Sequence, residues 1–212
     1  MKTLPLLAFA ASLSFAQLSG QHELSKPNLD KGHTIMKSLS LRKSAAAADF
    51  KNAKGLSEQE LSDLLWAANG INRPDEGKRT AASAMNSQDI DIYVIRKSGA
   101  YLYNAKNHSF SLITAKDKDL RALVADTQTD FANAPVMLLL VSDISKFPRG
   151  DDVFRHKLGA MDAGIVSQNI ALFCSGTGLI TRPRVFMNSE ELAKELKLTA
   201  TQIPMLNHPV GK

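Results

Sequence analysis

Three short groups of residues in this chain could do chemistry. Leu41-Arg42-Lys43-Ser44 sets two cations beside a hydroxyl, a combination that can hold a phosphate by charge and hydrogen bonding or form a plain solvated turn. Ser83-Ala84-Met85-Asn86-Ser87-Gln88 gathers amides and hydroxyls just before an alternating segment. Each amide carries both donors and an acceptor, so this loop could read the edge of a heterocycle or simply cap a sheet. Asp162, Ala163 and Gly164, with Gln168 and Asn169, interrupt an otherwise apolar stretch, where they could face a ligand or satisfy polar groups inside a buried helix.

Other chemistries are not written here. His22, His33, His108, His156 and His208 stand apart, without the spacing that sets two metal ligands on one helix face, and read as surface residues. There is no G-x-S-x-G, so a hydrolase reading fails, and Cys174, the only cysteine, reads as a buried, inert thiol. Neither a Rossmann nor a P-loop pattern occurs. The net charge of +5 is spread along the chain, which argues against a nucleic-acid surface.

These groups need elements to position them. Ser57, three residues before Glu60 and ahead of Leu61, Leu64, Leu65 and Ala68, is a capping box leading an apolar stripe; it predicts a helix over 57–69 that Gly70 ends. Asp89–Ile95, Ala100–Tyr103 and Ser109–Thr114 read as neighbouring strands joined by tight turns, hence antiparallel. Lys118–Asp126 reads as helix, and Pro135–Ser142 as a strand buried on both faces. Gly159–Gly178 is apolar almost all round, which predicts a helix buried in the core or in a subunit interface. Arg184–Met187 reads as a short strand, Ser189–Leu196 as a capped helix, and Pro204–Lys212, with two prolines, as an irregular tail. With 212 residues, 44% of them hydrophobic, one α+β domain fits this order better than a doubly wound sheet.

In order and spacing these segments resemble the nitroreductase family from about Ile35 to Lys212. Arg42-Lys43-Ser44 takes the place of the family's opening R-x-S, and Leu64-Leu65-Trp66-Ala67-Ala68 resembles its first long helix. Arg79-Thr80-Ala81-Ala82-Ser83-Ala84-Met85-Asn86-Ser87-Gln88 is similar to R-T-x-P-S-x-x-N-x-Q, with Ala82 for the usual Pro. Asp162 to Leu172, then Gly178-Leu179, resembles the D-x-G-x-x-x-Q-N-x-x-L helix and its Gly-Leu ending. The closing Leu206–Lys212 resembles the family's late G-x-P-x-G segment.

The resemblance implies a mainly antiparallel sheet flanked by helices, an intertwined homodimer and FMN at its interface. Arg42, Lys43 and Ser44 would lie near the phosphate or ring and Lys212 near the phosphate, with Asn86 and Gln88 near the isoalloxazine and ribityl and Ser83 also in the cofactor site. Asp162, Ala163 and Gly164 would sit at a helix start whose free N–H groups face the flavin. The implied activity is NAD(P)H-type two-electron reduction of a small-molecule acceptor, a nitro compound, quinone or similar. Azoline-oxidising dehydrogenases share the same loop and helix. A secreted flavin-binding or vestigial relative without NAD(P)H activity is the second function left open, and an α+β protein without cofactor the third.

Met1-Lys2-Thr3 followed by the apolar run Leu4–Phe15 and Ser14-Phe15-Ala16 is a secretory signal pattern. It predicts cleavage before Gln17, export to the periplasm, a linker over 17–34 and a domain over 35–212. No later apolar run approaches the ~20 residues a membrane span needs.

Overall fold

The computed structural model describes residues 21–212; the expected signal segment 1–16 and its cleavage site lie outside them. Seven strands form one sheet in the order β1-β6-β5-β4-β7-β9-β8, every neighbouring pair antiparallel. They are β1 (Gln21–Glu23), β4 (Ile90–Arg96), β5 (Gly99–Asn104), β6 (Ser109–Leu112), β7 (Val136–Asp143), β8 (Ile180–Thr181) and β9 (Gln202–Gly211). Strands β2 (Ile71–Arg73) and β3 (Lys78–Arg79) make a separate hairpin. The helices are α1 (Ile35–Leu41), α2 (Glu58–Asn69), α3 (Arg121–Ala125), α4 (Asp152–Thr177) and α5 (Ser189–Leu196).

The period-2 alternation of strand side chains divides the core in two. Ile90, Ile92 and Val94 of β4 and Leu138 and Leu140 of β7 pack with Leu61, Leu64 and Leu65 of α2 and Ala163, Val166 and Ile170 of α4. Tyr93, Ile95, Met137, Leu139 and Val141 face the other way, onto Val124 of α3 and Leu192 and Leu196 of α5. Strand β7 is thus buried on both faces, as its unbroken apolar run requires. Helix α2 starts as its capping box predicts: Glu60 N donates to Ser57 Oγ and Ser57 N to Glu60 Oε2. The helix ends as the backbone turns extended at Gly70, where only glycine fits because a Cβ would strike Trp66.

Three expectations fail. The stretch 17–34 is not a free linker where it is described: β1 pairs with β6, Asn28 N and Lys31 Nζ donate to the two oxygens of buried Asp63 at 2.8 and 3.2 Å, and Ser62 Oγ donates to Ser25 O. The folded body therefore begins well before Ile35. The supposed tail is strand β9, between β7 and β8. Its prolines fit because Pro204 sits at a register shift opposite Val141. Pro209 shares the parity of Asn207, whose N–H and C=O both face Arg184, so its missing N–H removes no bond to β7. Arg184–Met187 is not a strand, only a single bridge from Arg184 to Asn207, with Val185 and Phe186 exposed.

Candidate functional site

Helix α4 organises the candidate site. It begins at Asp152, capped by Asp151, which accepts from Phe154 N, and ends at Gly178 in the left-handed conformation (φ 76°) that glycine adopts without strain. Asp162, Ala163 and Gly164 therefore lie in mid-helix. The expectation that they open a helix and offer free N–H groups is corrected, since those amides are inside the i→i−4 ladder. Asp162 and Ala163 are buried, whereas Gly164 lies on the outer side, where a Cβ would meet nothing. That side also carries Met161, 55% exposed, and Ile165, so this apolar helix is covered on one face only.

The Asp162 carboxylate accepts from Ala84 N with both oxygens, at 2.8 and 3.1 Å, and so anchors the 83–88 loop. Within the loop Gln88 N donates to Ser83 Oγ (2.9 Å). The Gln88 amide is engaged at both its oxygen and its nitrogen, accepting from Arg79 Nε (3.0 Å) and donating to Gly77 O (2.8 Å). Met85, Asn86 and Gln88 all have positive φ, at 53°, 55° and 48°, which side chains other than glycine tolerate poorly. Asn86 projects into solvent with its amide unengaged among the described residues, so it is the amide open to a ligand.

The cationic group lies near the C-terminal end of α4. Arg42, Lys43 and Ser44 are exposed in the extended segment after α1. Ala45 N donates to Thr181 O (2.9 Å), and Arg182 Nη1 donates to Ala45 O (3.3 Å). Arg182, which sequence reasoning missed, thereby joins this group. Its signal was the Arg182-Pro183-Arg184 run just beyond the Gly178-Leu179 ending. No carboxylate pairs with Arg42, Lys43 or Arg182 among the described residues. Lys43 lines a cavity of about 220 Å³ with Ala171, Cys174 and Thr181. Cys174 itself is buried, and burial pushes its thiol well above the usual range, as an inert cysteine requires. Lys212 stands apart from this group: it bonds Glu60 Oε1 at 2.6 Å and holds the Glu60 carboxyl down to about 2.

Two buried cationic or titratable groups support the site from behind. Arg184 Nη1 donates to Val124 O (3.1 Å) and Asn207 Oδ1 (2.8 Å), Nη2 to Ala125 O (2.8 Å) and Nε to Gln128 Oε1 (3.0 Å). Its guanidinium lies 4.5 Å from the Phe131 ring centre. It caps the carbonyl end of α3. His208, expected on the surface, is wholly buried. Thr181 Oγ1 donates to Pro209 O (2.9 Å), so it accepts from His208 Nδ1 (3.1 Å), leaving Nε2 to accept from Ser167 Oγ (2.8 Å). The ring is neutral, because burial pushes its pKa down to about 3.

The Nitroreductase family model matches residues 45–212. The chain belongs to the nitroreductase family. Its fold is correspondingly that of a crystal structure assigned as a nitroreductase from Ralstonia eutropha, with TM-score 0.82 and 31% identity over 91% of this chain and 89% of that one. More distant members share the fold alone. A protein assigned as an NAD(P)H:FMN oxidoreductase from Staphylococcus epidermidis has TM-score 0.60 at 13% identity, covering 89% of this chain and 91% of its own. The E. coli microcin synthetase McbBCD complex has 0.69 at 16%, covering 97% and 84%. No curated protein matches. Nitroreductase-family membership makes the chain a flavin oxidoreductase in general terms, and among the described residues no helix is long and apolar enough to cross a membrane.

Proposed function

We propose that this chain is an exported, FMN-dependent oxidoreductase acting as a homodimer, taking two electrons from an NAD(P)H-type donor and passing them, with protons, to a nitro compound, quinone or similar acceptor. The observation that carries the reading is the uncompensated cationic group of Arg42, Lys43 and Arg182 beside the Ser44 hydroxyl. Three cations without carboxylates suit a phosphate dianion, and the free Asn86 amide suits a ring edge with alternating donors and acceptors. FMN, when bound, supplies the two-electron store between donor and acceptor; the protein supplies position and charge.

The amide loop lies against the middle of α4 and the cationic group against its C-terminal end. Asp162 and Cys174 are about 18 Å apart along the helix axis at ~1.5 Å per residue. A second copy with α4 running antiparallel along the exposed Met161-Gly164-Ile165-Gln168 side would bring one chain's loop to the other chain's cations. That geometry supports a dimer with shared sites. Lys212 enters the phosphate site only by leaving Glu60.

Purified protein mixed with FMN and gel filtered should keep the yellow flavin absorbance, and NADH or NADPH should bleach it. Arg42→Ala and Arg182→Ala should each weaken FMN by about 1.5–3 kcal/mol through a lost charge-assisted bond. A protein that leaves the column colourless refutes the reading, and flavin bound but not reduced by either donor leaves a flavin-binding protein instead. Export is read from the mature N-terminus: Gln17 is expected, and a retained Met1 would overturn it.

A further inference from the structure

The root of the 83–88 loop contains two carboxyls that its anchoring alone does not need. Asp89 and Asp162 are both buried where α4 meets β7: the Ser142 hydroxyl that donates to Asp89 lies against Gly159, one turn before Asp162, and Asp162 is among the groups that raise the Asp89 carboxyl. Asp89 Oδ2 accepts from Ser142 Oγ at 2.5 Å, while Asp89 Oδ1 is buried with no donor among the described residues. Carboxylate oxygens only accept, so two of them can bond each other only through a proton.

The approach of the two carboxyls is built in by α4. A Cβ at Gly159 would collide with Ser142 Oγ, so the absence of a side chain lets the helix close on β7. One turn later the same side presents Asp162.

We propose that Asp89 and Asp162 act as a positioning pair for the proposed flavin site: one proton shared between their carboxyls keeps Asp162 turned to the Ala84 amide and so holds the 83–88 loop in its ligand-ready shape. The assignment rests on the reading above only in naming the ligand. The loop cannot hold this shape unaided, because three non-glycine residues at positive φ cost free energy that outside contacts must offset. Those contacts are the Asp162–Ala84 bonds and the Gln88 bonds to Ser83, Arg79 and Gly77.

Losing the shared proton leaves two negative charges side by side. The groups facing them do not neutralise both. Arg79 on β3 is the neighbouring cation and also faces Asp91 and Tyr103. Its Nε is held by Gln88. Asp91 is itself paired with Lys146 at 3.0 Å, and burial keeps Tyr103 protonated. Burial, and then the adjoining Asp162, raise the Asp89 carboxyl to about 7 against the opposing Ser142 bond. The pair therefore releases its proton near neutrality, Asp162 is repelled from Asp89, and the Ala84 anchor loosens.

Amide exchange over Ala84–Gln88, measured in FMN-free protein at pH 6 and pH 8.5 and corrected for the intrinsic rate, tests this. Protection should fall by roughly tenfold in the natural protein, as the loss of one linked proton allows. Asp89→Asn and Asp162→Asn each put a permanent N–H donor between the two side chains, and protection should be flat with pH in both. FMN dissociation constants should follow the same pattern, rising about tenfold with pH in the natural protein and staying level in the variants. Unchanged protection in the natural protein, or an equal fall in both variants, overturns the assignment. If the exchange behaves as expected but FMN binds at neither pH, the pair stands and the flavin reading falls.

Discussion

Arg184→Met should lower unfolding free energy by about 3 kcal/mol, the range expected when a buried charged group is removed from partners that stay behind. Methionine keeps the apolar stem of arginine but none of its donors. Val124 O and Ala125 O at the end of α3, Asn207 Oδ1 and Gln128 Oε1 would all lose their N–H partner at once. Some of that loss is returned because a cation no longer has to be desolvated, which holds the total below the sum of four bonds. Arg184→Lys should recover little, since one ammonium cannot reach acceptors spread over a planar fork or lie flat on the Phe131 ring. Urea unfolding of the three proteins measures the effect, and a loss under 1 kcal/mol for the methionine variant would remove Arg184 from its structural role.

The second large effect is hidden in the natural protein and appears only in variants. The folded His208 pKa, about 3, lies below the ordinary 6.5, so between those values the unfolded chain holds a proton that the native one lacks. Its contribution is present above pH 6.5 and is lost as pH falls toward 3. Asp89 is the reverse. Its folded pKa of about 7 lies above 3.8, so the native chain holds the extra proton, and its contribution is present below 3.8 and lost as pH rises through 7.

Between pH 4.5 and 6.5 the two slopes, each about 1.4 kcal/mol per pH unit, run in opposite directions and cancel. His208→Phe should therefore become less stable by about 2–3 kcal/mol as pH rises from 4.5 to 6.5, and Asp89→Asn should become less stable by a similar amount as pH falls over the same interval. Whatever constant cost the phenylalanine brings by orphaning Ser167, the slope is unaffected. Urea midpoints at pH 4.5, 5.5 and 6.5 read it directly, and two variants with parallel, flat profiles would mean that neither group titrates as its burial dictates.

The parts of this fold that were legible in the sequence are those that local chemistry decides. The Ser57–Glu60 box places the start of α2, and the apolar run of β7 announces burial on both sides. The misread parts depend on distant partners. Strand β9 carries two prolines, and only its register with β7 and the Arg184 bridge shows that neither blocks pairing. Residues 21–33 have no periodicity because they are held by polar bonds to Asp63, Ser62 and Ser109. His208 looked like a surface residue for want of a visible partner, and its partners, Ser167 and Thr181, come from other elements.

The candidate site was legible in the same uneven way. The Arg42-Lys43-Ser44 group and the Ser83–Gln88 loop stood out by composition. What each does locally did not: Gln88 spends its amide on the loop itself, Lys212 is taken up by Glu60, and Arg182 and Asp89 reach their places through pairings between elements.

Strand order also governs the route by which the chain reaches this shape. Strands β4, β5 and β6 follow one another and can zip up as a meander while still a fragment. Leu138 of β7 must then find Val94 behind it and His208 ahead of it, across long stretches whose closure costs entropy before any contact repays it. The sheet's middle is consequently the last part to assemble, and until it does the apolar run of β7 stays exposed to other chains.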